Sequence, residues 1–506
     1  MTRRLSGRGR QGLLVELLQG VRGAADAPMY RRLYRHLRDG IVSGALPPSQ
    51  RLPSSRTLAA DLGLSRNTVE AALTQLTAEG FIVRQVGVGT VVSPRLPRPA
   101  LPAQQARGSH ARGSPMLGAP ARSGPVLSAR GRATLAADHL VRSFVGYTFA
   151  PCIPDADALP SAAWRRALTR RSRRWSGADT MPPDPAGYRP LREAIAAYVV
   201  SSRGVRCDWR QVLVVGSVQQ GLALVARMLL DPGDAVWLED PGYPGARTAF
   251  AASGARTVPV PVDGDGIDVA AGERLAPDAR LAYVTPSHQY PLGVTLTLER
   301  RLALLAWARQ REAWIVEDDY DSEFRYVGRP LAAIQGLDDA GRTIYAGTFS
   351  KILFPSVRLA YLVLPPGLLE PFAAAQDVTG GVSSTFLQAT AAEFLESGQF
   401  AAHLRKVRDL FAERRAAVLE AGVAEWDGLM RLGACDTGLH VVGHLPAGRD
   451  DRALSAAAER RRLDLPALSR YYADRSRARG LLVHYAGTPV PMIRDGARTL
   501  ARLLAG

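Results

Sequence analysis

Six near-continuous apolar runs follow one another in the middle of the chain, with amphipathic segments between them. They are VLVVG (212–216), AVWLE (235–239), RLAYVTP (280–286), AWIVEDD (313–319), RTIYAGT (342–348) and RLAYLVLP (358–365). Strands that are apolar on both faces need helices on each side of their sheet. The pattern therefore predicts an α/β sheet, largely parallel. Strand-like and helical segments mix in about the last hundred residues, which predicts a smaller α+β subdomain there.

A different pattern occupies residues 29–93. Its first fifteen residues carry apolar side chains at helical spacing, and Ser54 and Ser65 are each placed to cap a further short helix, with Gly63 in the turn between them. Two short β-prone runs around a glycine-containing turn then predict a hairpin. The order of a helix, a helix-turn-helix and a hairpin is that of a winged helix.

Positive charge is concentrated in the first quarter of the chain. The formal net charge is +17, and residues 1–93 and 94–134 each carry an excess of seven positive charges. A basic segment on a nearly neutral remainder indicates a module that binds a polyanion, although a solvated basic tail would have the same composition. Residues 94–134 are rich in Pro, Ala, Gly, Ser and Arg without periodicity, which predicts a flexible linker.

These patterns divide the chain into four parts. We expect a basic N-terminal tail (1–28), a winged helix-turn-helix domain (29–93), a flexible linker (94–139) and an α/β effector and dimerisation domain (140–506). No apolar run is long enough to span a bilayer, and the N-terminus lacks the apolar stretch of a signal peptide. The three cysteines are far apart, so neither a disulfide framework nor a zinc cluster is indicated. We expect a soluble, cytoplasmic protein without a metal site.

The second helix of the helix-turn-helix opens with residues suited to DNA. Arg66 and Asn67 can make directional contacts to base edges, and Thr68 can bond a phosphate. Arg51 and Arg56 flank the cap of the preceding helix, where the helix dipole also favours phosphate. A helical dimerisation module is the alternative interpretation of the same helices.

The segment RLPSSRTLAADLGLSRNTVEAALTQLTAEGFIVRQVGVGT (51–90) resembles the GntR family of winged-helix repressors. The resemblance implies that the first residues of both helices and the glycines of the wing contact double-stranded DNA. These residues are Arg51, Ser54, Arg56, Ser65, Arg66, Asn67, Thr68, Gly87 and Gly89.

Lysine is almost absent from the chain. Of 64 basic residues, only Lys351 and Lys406 are lysines. An amine that attacks an aldehyde must lose its proton, which the arginine guanidinium does not do in proteins. Lys351 follows a predicted strand directly, with Thr348 and Ser350 before it and Arg358 seven residues after it. Its position therefore favours Schiff-base chemistry over an exposed lysine in a surface ion pair.

Pyridoxal phosphate needs further groups besides a lysine. It requires an acid at the pyridine nitrogen, a phenol near the ring hydroxyl, an aromatic ring against its face and a cup for the phosphate. VEDDYDSEF (316–324) supplies acids and a phenol at the end of another predicted strand, where ligands of open α/β sheets bind. Taken singly, the acids could form a solvated loop and Tyr243 could be an ordinary turn aromatic.

The stretch from about residue 145 to the end resembles aminotransferases of fold type I. The order of the domains and the strings EDPGYPGAR, TPSHQYPLG, EDDYDSEF and GTFSK resemble the MocR subfamily of GntR regulators. The resemblance implies that Lys351 carries pyridoxal phosphate as a Schiff base, that Asp318 binds the pyridine nitrogen and that Tyr320 lies near the ring hydroxyl. It further implies a set of surrounding contacts from Tyr243 (ring stacking), Ser217, Val218, Gln219, Thr348, Ser350 and Arg358 (phosphate), and His288 and Gln289 (pocket lining).

Some positions depart from that pattern. Ser217 and Val218 stand where relatives usually have a glycine and a small residue, although backbone amides can still cradle a phosphate. Pro182 replaces a tyrosine that reaches the neighbouring subunit in many aminotransferases, and Leu482 stands where enzymes usually carry an arginine for the substrate α-carboxylate. Arg470 and Arg479 are candidate substitutes, though no spacing supports either.

The prediction is therefore a DNA-binding regulator that senses pyridoxal phosphate, or an amine or amino acid that reacts with it. Fold-type-I aminotransferases bind their cofactor at a dimer interface, which implies a homodimer. Without a guanidinium for the carboxylate, an amino acid would be poorly oriented for turnover. An active aminotransferase with an appended DNA-binding domain is the alternative, and a regulator with an empty, degenerate effector domain is a third interpretation.

Overall fold

The computed structural model describes residues 28–85, 89–94, 128, 131–132, 146–151, 158–177, 181–328, 331–433, 435–474 and 478–506. The chain divides into two compact units, Met1–Ala121 and Arg122–Gly506. Among the described residues, no helix combines the length and apolar character that a membrane span requires.

The first unit contains the expected helices and hairpin. Its elements are α1 (Met29–Val42), α2 (Ser55–Leu62), α3 (Arg66–Ala78), β1 (Ile82–Gln85) and β2 (Gly89–Val92). Ser54 and Ser65 are the N-caps of α2 and α3, and α2 ends at Gly63, which has the left-handed φ of 61° that glycine adopts without strain. The prediction of a winged helix is confirmed.

The core of this unit is formed by one apolar face from each helix. Leu33, Leu37 and Ile41 of α1 are buried against α3 and against Ile82 and Val92 of the antiparallel hairpin. The hairpin therefore packs into the same core as the helices, and the polar faces of α2 and α3 are left for solvent or for a partner.

The second unit is built on an eight-stranded sheet with the order β3-β10-β9-β8-β7-β4-β5-β6. The strands are β3 (Val212–Val215), β4 (Ala235–Asp240), β5 (Arg256–Asp263), β6 (Gly266–Ile267), β7 (Leu281–Val284), β8 (Trp314–Asp319), β9 (Thr343–Thr348) and β10 (Ala360–Val363). All six predicted apolar runs form strands. The central strands are parallel, whereas β10 and β6 run against their neighbours, so that the sheet is mixed.

Helices cover both faces of this sheet, as its apolar strands require. They are α4 (Ser161–Arg173), α5 (Arg189–Arg203), α6 (Val218–Leu229), α7 (Pro244–Ala252), α8 (Val269–Leu275), α9 (Leu298–Gln310), α10 (Leu369–Val378), α11 (Thr385–Glu396) and α12 (Gln399–Glu425). One face packs on α6, α7 and α10, and the other packs on α5 and α11 at one end and on α8 and α9 at the other.

The smaller α+β subdomain is confirmed. An antiparallel sheet of β11 (Arg431–Leu432), β12 (His440–His444) and β13 (Gly480–His484) packs with α12, α13 (Asp451–Glu459) and α14 (Val490–Ala505). In this sheet His440 lies opposite His484.

Candidate functional site

The carboxyl ends of the parallel strands bring the predicted cofactor residues to one edge of the large sheet. Strands β8 and β9 are parallel neighbours, with Asp318 opposite Ala346, and Lys351 follows the end of β9 by three residues. Strand β3 runs in the same direction as β9 and leads directly into Ser217. Three separate stretches of sequence therefore meet at this edge.

Asp318 is buried at the end of β8. The Tyr283 hydroxyl donates a hydrogen bond of 2.6 Å to Oδ2, while Oδ1 has no hydrogen-bond partner among the described residues. Burial raises the pKa of Asp318 to about 7, the hydrogen bond from Tyr283 opposes that rise, and the charge of Lys351 also lowers the pKa. A buried carboxylate oxygen without a partner fits a protonated nitrogen of a ligand.

The neighbouring acid, Asp319, has a different environment. It accepts hydrogen bonds from Arg203 at 2.6 Å and from the Tyr345 hydroxyl at 2.6 Å, in a buried cluster on the other face of the strand. Its carboxylate is therefore committed to holding α5 against the sheet. The structure therefore distinguishes the environments of Asp318 and Asp319, whereas the sequence motif does not.

His288 and Tyr320 lie together beside this carboxylate. The Tyr320 hydroxyl and Oδ2 of Asp321 are each 2.9 Å from Nδ1 of His288, whereas Nε2 of His288 is buried without a partner among the described residues. Gln289 was expected to line the same pocket. Its side chain instead bonds Glu239, the Pro241 carbonyl and the amide of Leu292, so it braces two loops.

The residues predicted to form the phosphate cup lie at the start of α6. Ser217 is the N-cap, and its Oγ accepts a hydrogen bond from the amide of Gln220. The first amides of a helix have no intrahelical acceptor, and within the described residues those of Val218 and Gln219 have no side-chain cap either. They are thus available to an anion at the positive end of the helix.

Other predicted phosphate contacts lie on the loop after β9. Oγ1 of Thr348 accepts a hydrogen bond of 3.1 Å from the amide of Ser350. Arg358 is exposed and has a φ of 50°, which bulky residues seldom adopt. Its carbonyl oxygen lies next to Gly216, at the start of the phosphate cup.

Tyr243 is the N-cap residue of α7. Its ring lies against Gly245, where a Cβ atom would be only 2.4 Å from the ring, so glycine is required at that position. The Tyr243 ring centroid is 6.5 Å from that of Tyr283, at an angle of 31°, and 6.0 Å from that of Tyr290. Tyr243, the predicted stacking residue, therefore lies beside Tyr283, which donates a hydrogen bond to Asp318.

Three residues at this edge were absent from the sequence prediction. Tyr283 lies inside an apolar strand, where its hydroxyl gave no signal. His440 and His484 lie on β12 and β13 with their ring centroids 5.1 Å apart, and His288 is 5.1 Å from His440. The sequence does show a histidine inside each of these two apolar strand segments. It does not show which residues these histidines contact.

The positions that depart from the family pattern are placed as follows. Leu482 is buried in an apolar cluster with Val442, Leu468 and Tyr471, and Pro182 is exposed ahead of α5. Arg479 donates to the carbonyl of Ala478 at 3.4 Å, and Arg470 ends a short 3-10 segment. These contacts do not place either arginine in the pocket.

Most of the predicted DNA contacts of the first unit lie at the N-terminal starts of α2 and α3. Arg51, Arg56, Arg66 and Asn67 are exposed. The hydroxyls of Ser65 and Thr68 are 2.7 Å apart, and Ser54 bonds Thr57 in the same way, so both serines cap their helices.

The wing approaches one of these arginines. The guanidinium of Arg51 lies against Gly89, whose φ is 97° and whose Cβ position would be 3.4 Å from two guanidinium nitrogens. Arg51 also forms a β-bridge to Val91. Arg51 is therefore held at the base of the wing, whereas Gly87 falls outside the described residues.

The edge of the large sheet has the donor and acceptor set that pyridoxal phosphate requires. A lysine, a buried acid with an unpaired oxygen, a phenol, an aromatic ring and the uncapped amides of a helix start are brought together there. The positive charge of Lys351 is close enough to lower the pKa of Asp318. The residues present therefore fit the cofactor.

Comparison with known proteins gives matches over both units. The family of aminotransferases of class I and II matches residues 153–457, and the gntR family of bacterial regulatory proteins matches residues 29–92. The solved structure of LysN, an α-aminoadipate aminotransferase from Thermus thermophilus complexed with N-(5'-phosphopyridoxyl)-L-leucine, has a TM-score of 0.67 and 28% identity, covering 74% of this chain and 97% of its own.

Several curated relatives match this chain across both units, among them MocR and PdxR. The probable rhizopine catabolism regulatory protein MocR of Rhizobium meliloti is 40% identical over 482 residues, which cover 94% of each chain. The HTH-type pyridoxine biosynthesis transcriptional regulator PdxR of Corynebacterium glutamicum is 31% identical over 89% of this chain and 90% of its own. The chain belongs to the MocR-type regulators of the gntR family, in which a winged helix-turn-helix is joined to an aminotransferase-like domain of fold type I.

Proposed function

We propose that this chain is a transcriptional regulator that binds operator DNA through residues 29–93 and pyridoxal phosphate through residues 140–506, with residues 94–139 as the linker. The observation that carries the cofactor assignment is the buried Oδ1 of Asp318, which has no hydrogen-bond partner among the described residues. Asp318 lies at the end of β8, the parallel neighbour of the strand that precedes Lys351. The exposed helix start at Arg66 and Asn67 supports the DNA assignment.

Each group at the sheet edge has a distinct task toward the cofactor. Lys351 anchors it, Asp318 holds a proton on the ring nitrogen, and Tyr243 covers the ring. Tyr320 and His288 lie toward the ring hydroxyl, and Ser217, Val218, Gln219, Thr348, Ser350 and Arg358 surround the phosphate. Bound pyridoxal phosphate supplies an electrophilic carbon that reacts with amines. The cofactor, or a small amine or amino acid that meets it, is then the effector.

We further propose a homodimer, because fold-type-I proteins bind their cofactor where two subunits meet. A ligand that binds one conformation of the dimer better than another shifts the population toward it, and the winged helices are repositioned as a result. Light scattering of the purified chain measures its mass, and a monomer at every concentration contradicts the dimer.

Sustained enzymatic turnover is not expected. Leu482 is packed in an apolar cluster and provides no charge for an α-carboxylate. Steady-state assays with a panel of amino donors test the alternative function. Turnover comparable to that of ordinary aminotransferases favours the enzyme and contradicts a purely regulatory role.

The chain provides a matched control for the cofactor test, because Lys406 is its only other lysine. The full-length protein is incubated with pyridoxal phosphate, reduced with borohydride, digested and mapped by mass spectrometry. We expect the phosphopyridoxyl group on Lys351, its loss in Lys351→Ala and its retention in Lys406→Ala. Absence of a visible absorption band with the wild type, or labelling that persists in Lys351→Ala, contradicts the proposal.

DNA binding is tested separately with the same protein. Selection from a random duplex library, followed by sequencing, reveals the preferred operator, and the DNA upstream of the gene provides an independent candidate. An enriched motif that the protein binds far more tightly than random DNA supports the proposal. Enrichment of no motif contradicts operator recognition.

A further inference from the structure

A cluster of three buried histidines lies at the edge that carries the cofactor residues. His288 follows β7, His440 is on β12 and His484 is on β13. Their rings form a continuous series, with 5.1 Å between the centroids of His288 and His440 and 5.1 Å between those of His440 and His484. Each is at most 3% exposed, so no bulk water serves their nitrogens.

Two of these histidines have unused hydrogen-bonding groups. Within the described residues, both ring nitrogens of His484 and Nε2 of His288 have no partner, whereas His440 bonds the Pro291 carbonyl at 2.9 Å. Proteins rarely leave a buried polar group without a partner unless a ligand or an ordered water satisfies it. Three such atoms in one cluster indicate that a ligand with several hydrogen-bonding groups completes it.

The imidazoles of His440 and His484 are neutral. Burial, followed by the positive charge of Lys351, lowers the pKa of His484 to about 3. Burial and the adjacent histidines lower the pKa of His440 well below its ordinary value. A neutral imidazole offers one donor and one acceptor, which matches a hydroxyl group and gives no charge to neutralise a carboxylate.

The side chains around His484 are also poorly suited to a carboxylate. Leu482 is two residues from His484 on the same face of β13, and its side chain packs on Leu468 and Tyr471. The guanidinium of Arg203 is bonded to Asp319, and that of Arg247 donates to the Tyr471 carbonyl at 3.3 Å. Both guanidiniums are therefore engaged elsewhere, and Lys351, whose charge reaches His484, is committed to the cofactor, so these three groups leave a carboxylate buried beside His484 poorly compensated.

We propose that the effector pocket takes a primary amine that carries hydroxyl groups and no carboxylate, with His484 and His288 bonding the hydroxyls and Leu482 excluding amino acids. This inference rests on the proposed function, because the amine group is directed to the cofactor held by Lys351. It narrows the effector from amines and amino acids in general to one chemical class.

Three small probes separate the contributions of the hydroxyl groups and of the carboxylate to binding. In 2-amino-1,3-propanediol a second hydroxymethyl group replaces the carboxylate of L-serine, and 2-aminopropane has neither group. Calorimetric titration of the cofactor-loaded, full-length protein measures the affinity for each. We expect the diol to bind at least tenfold more tightly than either of the other two. Binding of L-serine as tight as that of the diol, equal binding of 2-aminopropane, or no binding of the diol at millimolar concentration overturns the inference.

Two substitutions localise the preference. His484→Phe keeps an aromatic ring but removes both nitrogens, so the affinity for the diol falls at least tenfold while that for 2-aminopropane is unchanged. Leu482→Arg introduces the missing cation and raises the affinity for L-serine. Equal loss for the diol and 2-aminopropane in His484→Phe contradicts a hydrogen-bonding role.

The visible cofactor band separates this inference from the proposed function. A wild-type protein that never acquires the band contradicts the proposed function itself. A protein that acquires the band and prefers L-serine contradicts only the assignment of the effector class. The unsubstituted protein decides both points, so neither depends on the folding of a variant.

Discussion

The Tyr283 hydroxyl donates a hydrogen bond of 2.6 Å to one oxygen of Asp318 and leaves the other oxygen unpaired among the described residues. This bond both orients the carboxylate and favours its ionised form. Tyr283→Phe is therefore expected to weaken pyridoxal phosphate binding by about 1.5–3 kcal/mol, the range for a hydrogen bond to a charged group. A visible-absorption titration at constant pH measures the change.

A matched control for that substitution is Tyr345→Phe. It removes a hydroxyl of the same type from Asp319, on the face of the strand turned away from the pocket. Its cofactor affinity is expected to equal that of the wild type. Equal weakening in both variants would show that Tyr283 acts through general stability and not through Asp318.

The ionisation of Asp318 predicts a pH dependence of the cofactor-free protein. The pKa of Asp318 is raised by burial to about 7, whereas an unfolded aspartate titrates near 4. The folded state therefore holds this proton more tightly, and the free energy of unfolding falls as pH rises through that window. Asp318→Asn removes the effect, so the variant is more stable than the wild type at pH 8, by about 1–3 kcal/mol.

The measurement is chemical denaturation of both cofactor-free proteins at pH 5.5 and pH 8. The advantage of Asp318→Asn grows with pH, because Glu317, whose pKa burial also raises to about 7, is present in both proteins and cancels. The pKa of Glu239 is raised by burial and also by the charge of Asp318, so its loss of stability at high pH is smaller in the variant, which acts in the same direction. The same variant is expected to lose cofactor binding. A stability difference that is constant across pH contradicts the assigned ionisation.

The sequence predicted the strands better than their directions. All six apolar runs became strands, but a strand buried on both faces has the same residue pattern whether it runs parallel or antiparallel, so the reversed β10 was not foreseen. The choice between Asp318 and Asp319 rested on family resemblance alone, since both follow the same apolar run. Their separate environments come from strand alternation and from Arg203, which is distant in sequence.

The histidine cluster shows more clearly what sequence patterns cannot predict. His440 and His484 belong to strands that the apolar pattern indicated, yet their pairing depends on the register of the small sheet, and His288 joins them from another part of the chain. Local patterns identify elements, whereas a pocket depends on which elements pack together. The sequence shows that Leu482 stands where enzymes usually carry an arginine. It does not show which polar groups surround that position.

Arg66 and Arg51 are expected to differ in their effect on DNA binding. Arg66 is exposed at the first position of α3, where a recognition helix reads bases, and Arg51 is held against Gly89 at the base of the wing. Arg66→Ala should weaken binding to the operator by about 1–3 kcal/mol and random DNA much less, whereas Arg51→Ala should weaken both. Titrations on both duplexes at one salt concentration measure this, and equal losses for Arg66→Ala contradict base reading.

The buried pair of Arg203 and Asp319 predicts the largest loss of stability. Arg203 bonds Asp319, the Ser287 hydroxyl and the Leu331 carbonyl, so one guanidinium ties α5 to the strand ends that carry the site. Arg203→Met leaves a buried carboxylate without its cation, which typically costs about 3–5 kcal/mol.

An exposed pair a few residues away is the control for this prediction. Arg206 and Asp339 are 2.7 Å apart, with both side chains more than half exposed, and such pairs contribute about 0–1 kcal/mol. Urea denaturation of cofactor-free Arg203→Met and Arg206→Met under the same conditions should give a difference of several kcal/mol between them. A similarly small effect in both variants would contradict the role assigned to the buried pair of Arg203 and Asp319.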